Sequence, residues 1–367
     1  MIVSGRVVTP ERVLAGFVRL DGDRIAEVGP GAGGDQLIVP GFVDLHNHGG
    51  GGHSFTTGDP DAARGAARFH RRHGTTTLLA SLVSSPYPLM RAATEAYAPL
   101  VAEGVLAGVH FEGPYLSPVR RGAQDPAHLR DPSTDELAEL IALGNGTVRM
   151  VTLAPERAGA LAAIRLLGEA GVVAAIGHTD ASYEQTRAAV AAGATVATHL
   201  CNGMRPVHHR EPGPVVALLG ASDVVCELIA DGVHLHDGML AFAAGAAAGR
   251  AALVTDAMAA AGMPDGAYEL GGQSVVVADR VARLTTADGD PGPIAGSTLT
   301  MDAALRRAVG AGVSLVDAVR MAATTPARVL GLAGTAGALA PGLRADLVVL
   351  DPHLRVLRVM RSGTWVA

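Results

Sequence analysis

The sequence predicts an α/β fold: a (β/α)8 TIM-like barrel with a small β-sandwich formed by the N- and C-terminal segments. Between residues 41 and 340, eight apolar runs typical of buried parallel strands alternate with Ala-rich helical segments. The two ends of the chain instead alternate short β-rich pieces with Gly and Asp turns. A length of 367 residues fits one α/β barrel plus a small appendage.

The two ends are predicted to form one small domain. Residues 1–40 carry β-rich pieces separated by turns such as Asp21-Gly22-Asp23, and residues 341–367 continue in the same pattern. Neither segment is long enough to bury a core by itself, so we expect them to pair with each other as a small β-sandwich.

The predicted barrel, residues 41–340, takes its strands from the apolar runs. These are 41–48, 75–79, 105–112, 148–153, 172–178, 194–199, 224–230 and 252–256. A doubly wound open sheet is the alternative, but no Gly-x-Gly-x-x-Gly turn follows an early strand. A Gly-rich stretch at about 262–296 is predicted to insert a β-hairpin over the barrel mouth.

Composition limits the classes of partner. The chain is 49% hydrophobic and 17% charged, with a net charge of −6 and no long basic run, so we expect neither nucleic-acid nor membrane binding. Its two cysteines are too few for a disulfide framework. The N-terminus lacks a signal pattern and no run of about 18 apolar residues occurs. The sequence therefore predicts a cytoplasmic protein.

Metal-ligand side chains stand where predicted strands end. His46 and His48 are one residue apart in the first run, so in a strand they point to the same side. Further strand ends carry Glu112, His178, His199 and Asp256. Because the carboxyl ends of barrel strands meet at one mouth, these side chains are expected to converge there. Imidazole and carboxylate groups suit Zn²⁺ and similar ions.

Each of these residues also has an ordinary interpretation. His178 could cap a helix, Glu112 could pair with an arginine, and Asp256 could be a helix N-cap. Their shared position at the same end of the strands favours the metal site. His70, His73, His128 and His353 lie in polar or helical segments and are predicted to be solvated.

With these motifs in view, the chain resembles the amidohydrolase superfamily, and within it the N-acetylglucosamine-6-phosphate deacetylases. The motifs Glu-Gly-Pro, Arg-Glu-Pro-Gly and Ala-Asp-Gly-x-His are more specific to these deacetylases than His-x-His. The segments that carry the resemblance are 40–49, 111–115, 151–156, 177–179, 198–204, 209–213, 229–234, 254–257 and 295–301.

The resemblance implies roles for the strand-end residues. Glu112, His178 and His199 would hold the principal metal ion, and a second ion bridged through Glu112 would use His46 and His48. Asp256 would be the general acid and base. His234 would contact the acetamide carbonyl. The substrate-binding residues implied are Ala123, Gln124, Asn202, Gly203, Arg210, His234, Ile294, Ala295 and Gly296.

The expected reaction is hydrolysis of the acetamide of N-acetyl-D-glucosamine 6-phosphate to D-glucosamine 6-phosphate and acetate, in amino-sugar catabolism and cell-wall sugar recycling. One or two divalent ions per subunit are expected, with Zn first and Fe, Co, Mn or Cd as alternatives. The resemblance also suggests a homodimer. On the residues alone, the fixed fork of Arg210 suits a phosphate, although it could instead pair with Glu211.

The sequence departs from the family after Glu-Gly-Pro, where the family usually has His and this chain has Gln124. Asn202-Gly203 also stands where Asn-Ala is common. These departures concern sugar contacts rather than metal chemistry. Two rival hypotheses stay open: a metal-dependent amidohydrolase acting on a different N-acyl amino sugar or cyclic amide, and a non-catalytic barrel that serves as a binding module.

Overall fold

Eight parallel strands follow one another in chain order around a barrel. The computed structural model describes residues 1–286 and 291–366. The barrel strands are Phe42–Asp44, Thr75–Leu82, Gly108–Glu112, Val148–Leu153, Val173–Ile176, Val196–Ala197, Val225–Ile229 and Ala251–Val254. Nearly all of their residues are buried, as expected for strands covered on both faces. The predicted (β/α)8 barrel is confirmed.

The first and eighth strands are joined just beyond their carboxyl ends. The backbone N–H of Asp256 donates to the carbonyl of His46 at 2.8 Å, and the N–H of His48 donates to the carbonyl of Ala257 at 2.7 Å. These bonds complete the ring of strands at its mouth. They also place the His-x-His pair beside Asp256, which is 210 residues further along the chain than His46.

Helices surround the barrel. The α-helices are Pro60–Arg72, Tyr87–Ala102, Thr134–Gly144, Ala160–Glu169, Tyr183–Ala191, Gly213–Leu219, Asp237–Ala246, Met301–Gly310, Leu315–Val319 and Thr325–Val329. Arg320–Thr324 forms a π-helical turn between the last two, and Pro118–Arg120 and Pro126–His128 are short 3₁₀ helices. Local sequence sets several of the starts; Ser182, for example, forms a capping box with Gln185. No helix within the described residues is long and apolar enough to cross a membrane.

Both ends of the chain build the small β-sandwich. Its strands form one seven-stranded sheet: Ile2–Val8, Val13–Asp21, Arg24–Pro30, Leu37–Pro40, Leu347–Leu350, Val356–Arg361 and Thr364–Trp365. Leu37–Pro40 pairs with Ile2–Val8 on one side and with Leu347–Leu350 on the other. Val18, Ile38 and Met360 belong to its own buried core. The predicted pairing of the two termini is confirmed.

The Gly-rich insertion forms a four-stranded antiparallel sheet, more than the single hairpin expected. Its strands are Gly266–Leu270, Gln273–Ala278, Val281–Thr285 and Pro291–Ile294. One face packs its apolar side chains against Val83 and Met258 beside the barrel mouth. Residues 287–290 of the predicted insertion, and residue 367 of the predicted C-terminal segment, lie outside the described residues.

A buried polar network holds the end of the first barrel strand and the residues that follow it. The Asp44 carboxylate accepts hydrogen bonds from Thr255 Oγ1 at 2.6 Å and from Asn47 Nδ2 at 3.0 Å. His70 is also fully buried, and its Nε2 donates to the carbonyl of Gly49 at 2.9 Å. The prediction that His70 is solvated was therefore wrong. Its helix turns this side chain towards the loop that follows His48.

Buried His70 is predicted to make the fold sensitive to acid. Its Nδ1 has no hydrogen-bond partner among the described residues, and burial lowers its pKa to about 4. In the unfolded chain this imidazole takes up a proton at about pH 6.5, whereas in the folded protein it does so only near pH 4. The free energy of unfolding is therefore undiminished above pH 6.5 and falls as the pH falls towards 4. The loss amounts to about 3 kcal/mol.

Urea unfolding of the parent and of His70→Gln at pH 7 and pH 4 tests this. Glutamine keeps an N–H donor but cannot titrate. Between pH 7 and pH 4, the unfolding free energy of the variant should therefore fall by about 3 kcal/mol less than that of the parent. His353→Gln, at an exposed position, is the control and should match the parent. An identical pH dependence in parent and His70→Gln would contradict the assignment.

Candidate active site

Four imidazoles and two carboxylates meet at the carboxyl end of the barrel. Each is the last residue of a barrel strand or follows one within four residues. All six are buried, with at most 7% of their surface exposed. They are His46, His48, Glu112, His178, His199 and Asp256. Residues distant in sequence thus form one polar cluster inside an apolar barrel.

Glu112 is shared between two pairs of imidazoles. Its Oε1 lies 3.0 Å from Nε2 of His178 and 2.8 Å from Nε2 of His199. Its Oε2 lies 3.2 Å from Nε2 of His48, whose own Nε2 is 3.0 Å from that of His46. With Glu112, each pair forms a set of three ligand atoms that all lie within 4.8 Å of one another: one set with His178 and His199, the other with His46 and His48. The carboxylate is therefore placed to bridge two neighbouring cations.

This donor set suits borderline divalent ions. Imidazole nitrogens within 3.0 to 3.2 Å of each other cannot all be acceptors unless a proton or a cation lies between them. Nitrogen and carboxylate oxygen are the donors that Zn²⁺ and related ions take. His46, His48, Glu112, His178 and His199 therefore fit a metal centre with space for one or two ions.

Three of these residues have left-handed backbones. The φ angles of His178, His199 and Asp256 are 46°, 27° and 47°. Non-glycine residues rarely adopt this conformation, which costs about 1–3 kcal/mol each and often clusters at functional sites. In each case the chain turns immediately after the strand. The turn directs the side chain towards the barrel axis rather than along the strand.

The outer nitrogens of two metal-site histidines are held by backbone carbonyls. His48 Nδ1 donates to the carbonyl of Ser81 at 3.0 Å, and His178 Nδ1 donates to the carbonyl of Arg120 at 2.8 Å. A carbonyl can only accept, so in the neutral rings the proton stays on Nδ1. The unprotonated Nε2 then faces the cluster, which is the arrangement that ligation requires.

Glu227 holds the outer nitrogen of His46, and the sequence analysis did not predict this role. This carboxylate is fully buried in the seventh barrel strand. Its Oε2 lies 3.3 Å from Nδ1 of His46 and accepts from the backbone N–H of His199 at 3.1 Å. The available signal was a charged residue in the middle of the apolar run 224–230. A carboxylate behind a ligating histidine fixes the ring and increases its basicity.

The electrostatics of the cluster keep its carboxylates ionised. Burial alone would raise the pKa of Asp256, but the imidazoles of His46 and His48 outweigh it and lower this pKa to about 2. Burial opposes ionisation of Glu112 too, and His46, His178 and His199 hold its pKa well below the usual value. Both groups are therefore negative at neutral pH and attract cations.

The His234 imidazole is held by a neighbouring carboxylate. Its Nδ1 lies 2.6 Å from Oδ2 of Asp231. Burial lowers the pKa of His234, but the hydrogen bond and charge of Asp231 outweigh burial and raise it. The Asp231 carboxylate holds a proton on Nδ1, and in the charged ring Nε2 carries one as well. Asp231 was part of a recognised motif but was not assigned a role from sequence.

The cluster opens into a cavity of about 350 Å³. Seven of the nine predicted substrate-binding residues line it: Ala123, Gln124, Asn202, Gly203, His234, Ile294 and Gly296. Ala295 does not, because its side chain is fully buried in the core of the insertion sheet. Gly203 has a φ of 58°, and a Cβ there would lie 2.8 Å from Nδ1 of His178. The Asn-Gly step therefore suits this close approach.

The predicted phosphate residue Arg210 lies outside the cavity lining. It is exposed, and its Nη1 is 2.8 Å from Nε2 of His209. The only arginine or lysine among the described lining residues is Arg283, from the third strand of the insertion sheet. Its Nη1 donates to the carbonyl of Gly292 at 3.0 Å. The sequence placed this insertion over the barrel mouth, but Arg283 was missed because the strand pattern does not show which of its side chains reach the cavity.

The chain matches the model of the amidohydrolase family over residues 37–366. It is 41% identical over 333 residues to N-acetylgalactosamine-6-phosphate deacetylase of Escherichia coli O157:H7, covering 89% of this chain and 87% of the relative. It is 36% identical over 343 residues to N-acetylglucosamine-6-phosphate deacetylase of Lysinibacillus sphaericus, covering 90% and 86%.

Solved structures similar to this chain belong to the same group of enzymes as its sequence relatives. N-acetyl-D-glucosamine-6-phosphate deacetylase from Mycobacterium smegmatis is 47% identical, with a TM-score of 0.95 and 100% of both chains covered. A variant of that enzyme in complex with N-acetyl-D-glucosamine-6-phosphate gives a TM-score of 0.96, with 100% of this chain and 99% of the other covered. The chain thus belongs to the amidohydrolase family and, within it, to the metal-dependent N-acetylglucosamine-6-phosphate deacetylases.

Proposed function

We propose that this protein hydrolyses the acetamide of N-acetyl-D-glucosamine 6-phosphate, releasing acetate and D-glucosamine 6-phosphate in amino-sugar catabolism and cell-wall sugar recycling. The observation that carries the proposal is the shared Glu112 carboxylate, with two imidazole pairs around it and Asp256 beside it. His234 faces the same cavity. The Mycobacterium smegmatis relative, solved with this sugar phosphate, supports the choice of substrate.

A divalent ion in such a site supplies Lewis-acid chemistry, which activates water and polarises a carbonyl. We propose zinc, with one ion held by Glu112, His178 and His199 and a second by His46, His48 and Glu112. Iron, cobalt, manganese and cadmium are alternatives, since the same donors accept several ions.

Asp256 is proposed as the proton carrier. With its pKa at about 2, the carboxylate is free at neutral pH to take a proton from the attacking water. The new C–O bond forms as the amide carbonyl becomes tetrahedral. Asp256 then returns the proton to the amide nitrogen and the C–N bond breaks. The acetic acid formed loses its proton to the released amine, which leaves acetate and the ammonium form of the amino sugar. One carboxylate therefore acts first as base and then as acid.

His234 is proposed to stabilise the carbonyl oxygen during this step. Its imidazole is held by Asp231 through Nδ1, so that Nε2 can donate to negative charge that develops on the substrate. Because the ring is oriented before substrate arrives, little reorganisation is needed in the transition state.

The sugar phosphate is proposed to lie along Ala123, Asn202, Gly203 and the Ile294–Gly296 segment, with Arg210 contacting the phosphate. The cavity lining supports the first contacts. Arg210 is supported by its place on the same loop as Asn202 and Gly203, and its exposed guanidinium has the planar donors that phosphate prefers.

We also propose a cytoplasmic homodimer. Free Cys201 and Cys226 support the location, and the resemblance to the deacetylases supports the homodimer.

Asp256→Asn is predicted to lower kcat for acetate release by about 10²–10⁴-fold, because the amide cannot accept the proton. The metal content should stay at the parent level, since the ligands are unchanged. Acetate release and metal analysis on the same samples test both points. Asp223→Asn, at an exposed surface position, is the control. Activity above a tenth of the parent value would remove Asp256 from this role.

Zinc titration of metal-free protein is predicted to reach about two ions per chain, as expected for a bridging carboxylate with imidazoles on both sides. His46→Asn should bind about one ion, because one pair has lost a ligand while the other is intact. Equilibrium dialysis followed by metal analysis gives the ratio. A parent protein that saturates at one ion would contradict the two-ion proposal.

The 41% identical relative makes N-acetylgalactosamine 6-phosphate the second candidate substrate. We predict a higher kcat/KM for the gluco sugar phosphate than for its galacto epimer, and at least about 100-fold lower kcat/KM without the phosphate, because charge-assisted hydrogen bonds to it are lost. Acetate assays with the three sugars give the ratios. A preference for the galacto epimer would favour the second candidate, and no effect of phosphate would favour a different N-acyl substrate.

A further inference from the structure

Gln124 connects the second barrel strand to the shared carboxylate. The backbone N–H of Ser84, two residues beyond that strand, donates to Oε1 of Gln124 at 2.6 Å. Nε2 of Gln124 donates to Oε2 of Glu112 at 2.7 Å. The side chain is buried, with 3% of the residue exposed. Both ends of its amide therefore have partners within the protein.

The chemistry of these partners fixes the orientation of the amide. A backbone N–H can only donate, and an ionised carboxylate can only accept. Rotating the amide by half a turn would place its NH₂ against the N–H of Ser84 and its oxygen against Glu112. Both contacts would be repulsive. The amide thus has one orientation, with an N–H aimed at the carboxylate.

The loop that carries Gln124 is itself restrained. The N–H of Gln124 donates to the carbonyl of Arg121 at 2.9 Å. Nε2 of Gln273, on the second strand of the insertion sheet, donates to the carbonyl of Ala123. The donor that reaches Glu112 is therefore held by a turn on one side and by the insertion sheet on the other.

The hydrogen bond acts on one oxygen only. Oε2, which accepts from Gln124, is the oxygen 3.2 Å from Nε2 of His48. Oε1 is the oxygen that faces His178 and His199, and it also lies 3.5 Å from Nε2 of His46. Removing the bond would let Oε2 turn away from His48 and so weaken the His46–His48 pair as a metal site. Oε1 would keep its contacts with the imidazoles of His178 and His199.

We propose that Gln124 is a positioning residue that holds Glu112 in its bridging orientation and thereby sets the affinity of the His46–His48 pair for its ion. It acts on the metal centre through Glu112 rather than on the sugar. The proposal rests on the proposed function only in placing an ion at that pair. Hydrogen-bond partners behind metal ligands commonly change metal affinity by about 10–100-fold.

Gln124→Met tests this, because methionine has a similar length and no donor. Zinc binding to the metal-free full chain is measured by calorimetry without substrate. The second ion should bind about 10–100-fold more weakly, and the first within about threefold of the parent. At saturating zinc, KM for the sugar phosphate should change by less than about threefold. Gln124→His, which in its neutral form has one acceptor and one donor, should retain more of the second-ion affinity.

Gln36→Met is the matched control. It makes the same substitution at an exposed position just before the strand Leu37–Pro40 of the small β-sandwich, so both zinc affinities should stay within about twofold of the parent. Circular dichroism checks that each variant is folded.

Unchanged affinity for the second ion in Gln124→Met would overturn the proposal, and a raised KM in that case would make Gln124 a sugar contact. The proposal also fails if Gln124→His is no better than Gln124→Met. Because zinc binding is measured without substrate, a wrong choice of sugar leaves this result unaffected.

Discussion

The site depends on one carboxylate that serves two imidazole pairs. Glu112 ends the third barrel strand and places one oxygen towards His178 and His199 and the other towards His48. A buried carboxylate would be costly without compensation, because ionised groups lose their hydration inside a protein. Here four imidazoles and, when bound, metal ions supply it. The rest of the structure keeps these groups within contact distance.

Support for this arrangement comes from several parts of the fold. Closure of the barrel brings the His-x-His segment next to Asp256 through backbone hydrogen bonds. Buried acceptors such as Glu227 fix the outer nitrogens of the ligating rings. The left-handed turns at His178, His199 and Asp256 cost free energy, and the packed barrel around them tolerates this strain because it holds the chain on both sides. Rigid ligands in a buried site are what a preformed metal centre requires.

The insertion sheet connects the metal centre to substrate recognition. It places Arg283, Ile294 and Gly296 at the cavity, and through Gln273 it contacts the loop that carries Gln124. Sequence patterns predicted a hairpin over the barrel mouth in this stretch, but not the four-stranded sheet or which of its residues line the cavity. Strand prediction depends on local alternation, whereas the position of an inserted sheet depends on packing against distant residues such as Val83 and Met258.

The sequence by itself determined the barrel, the pairing of the two termini and the set of strand-end residues that form the candidate metal site. These follow from periodicity and from the rule that parallel strands present their carboxyl ends at one mouth. Only the tertiary structure decided that His70 and Glu227 are buried, that Ala295 and Arg210 lie outside the cavity lining, and that the Gln124 amide is bonded to Glu112. The reason is physical: a residue type and its spacing specify which groups are available, but burial and hydrogen-bond partners arise from contacts between residues far apart in the chain.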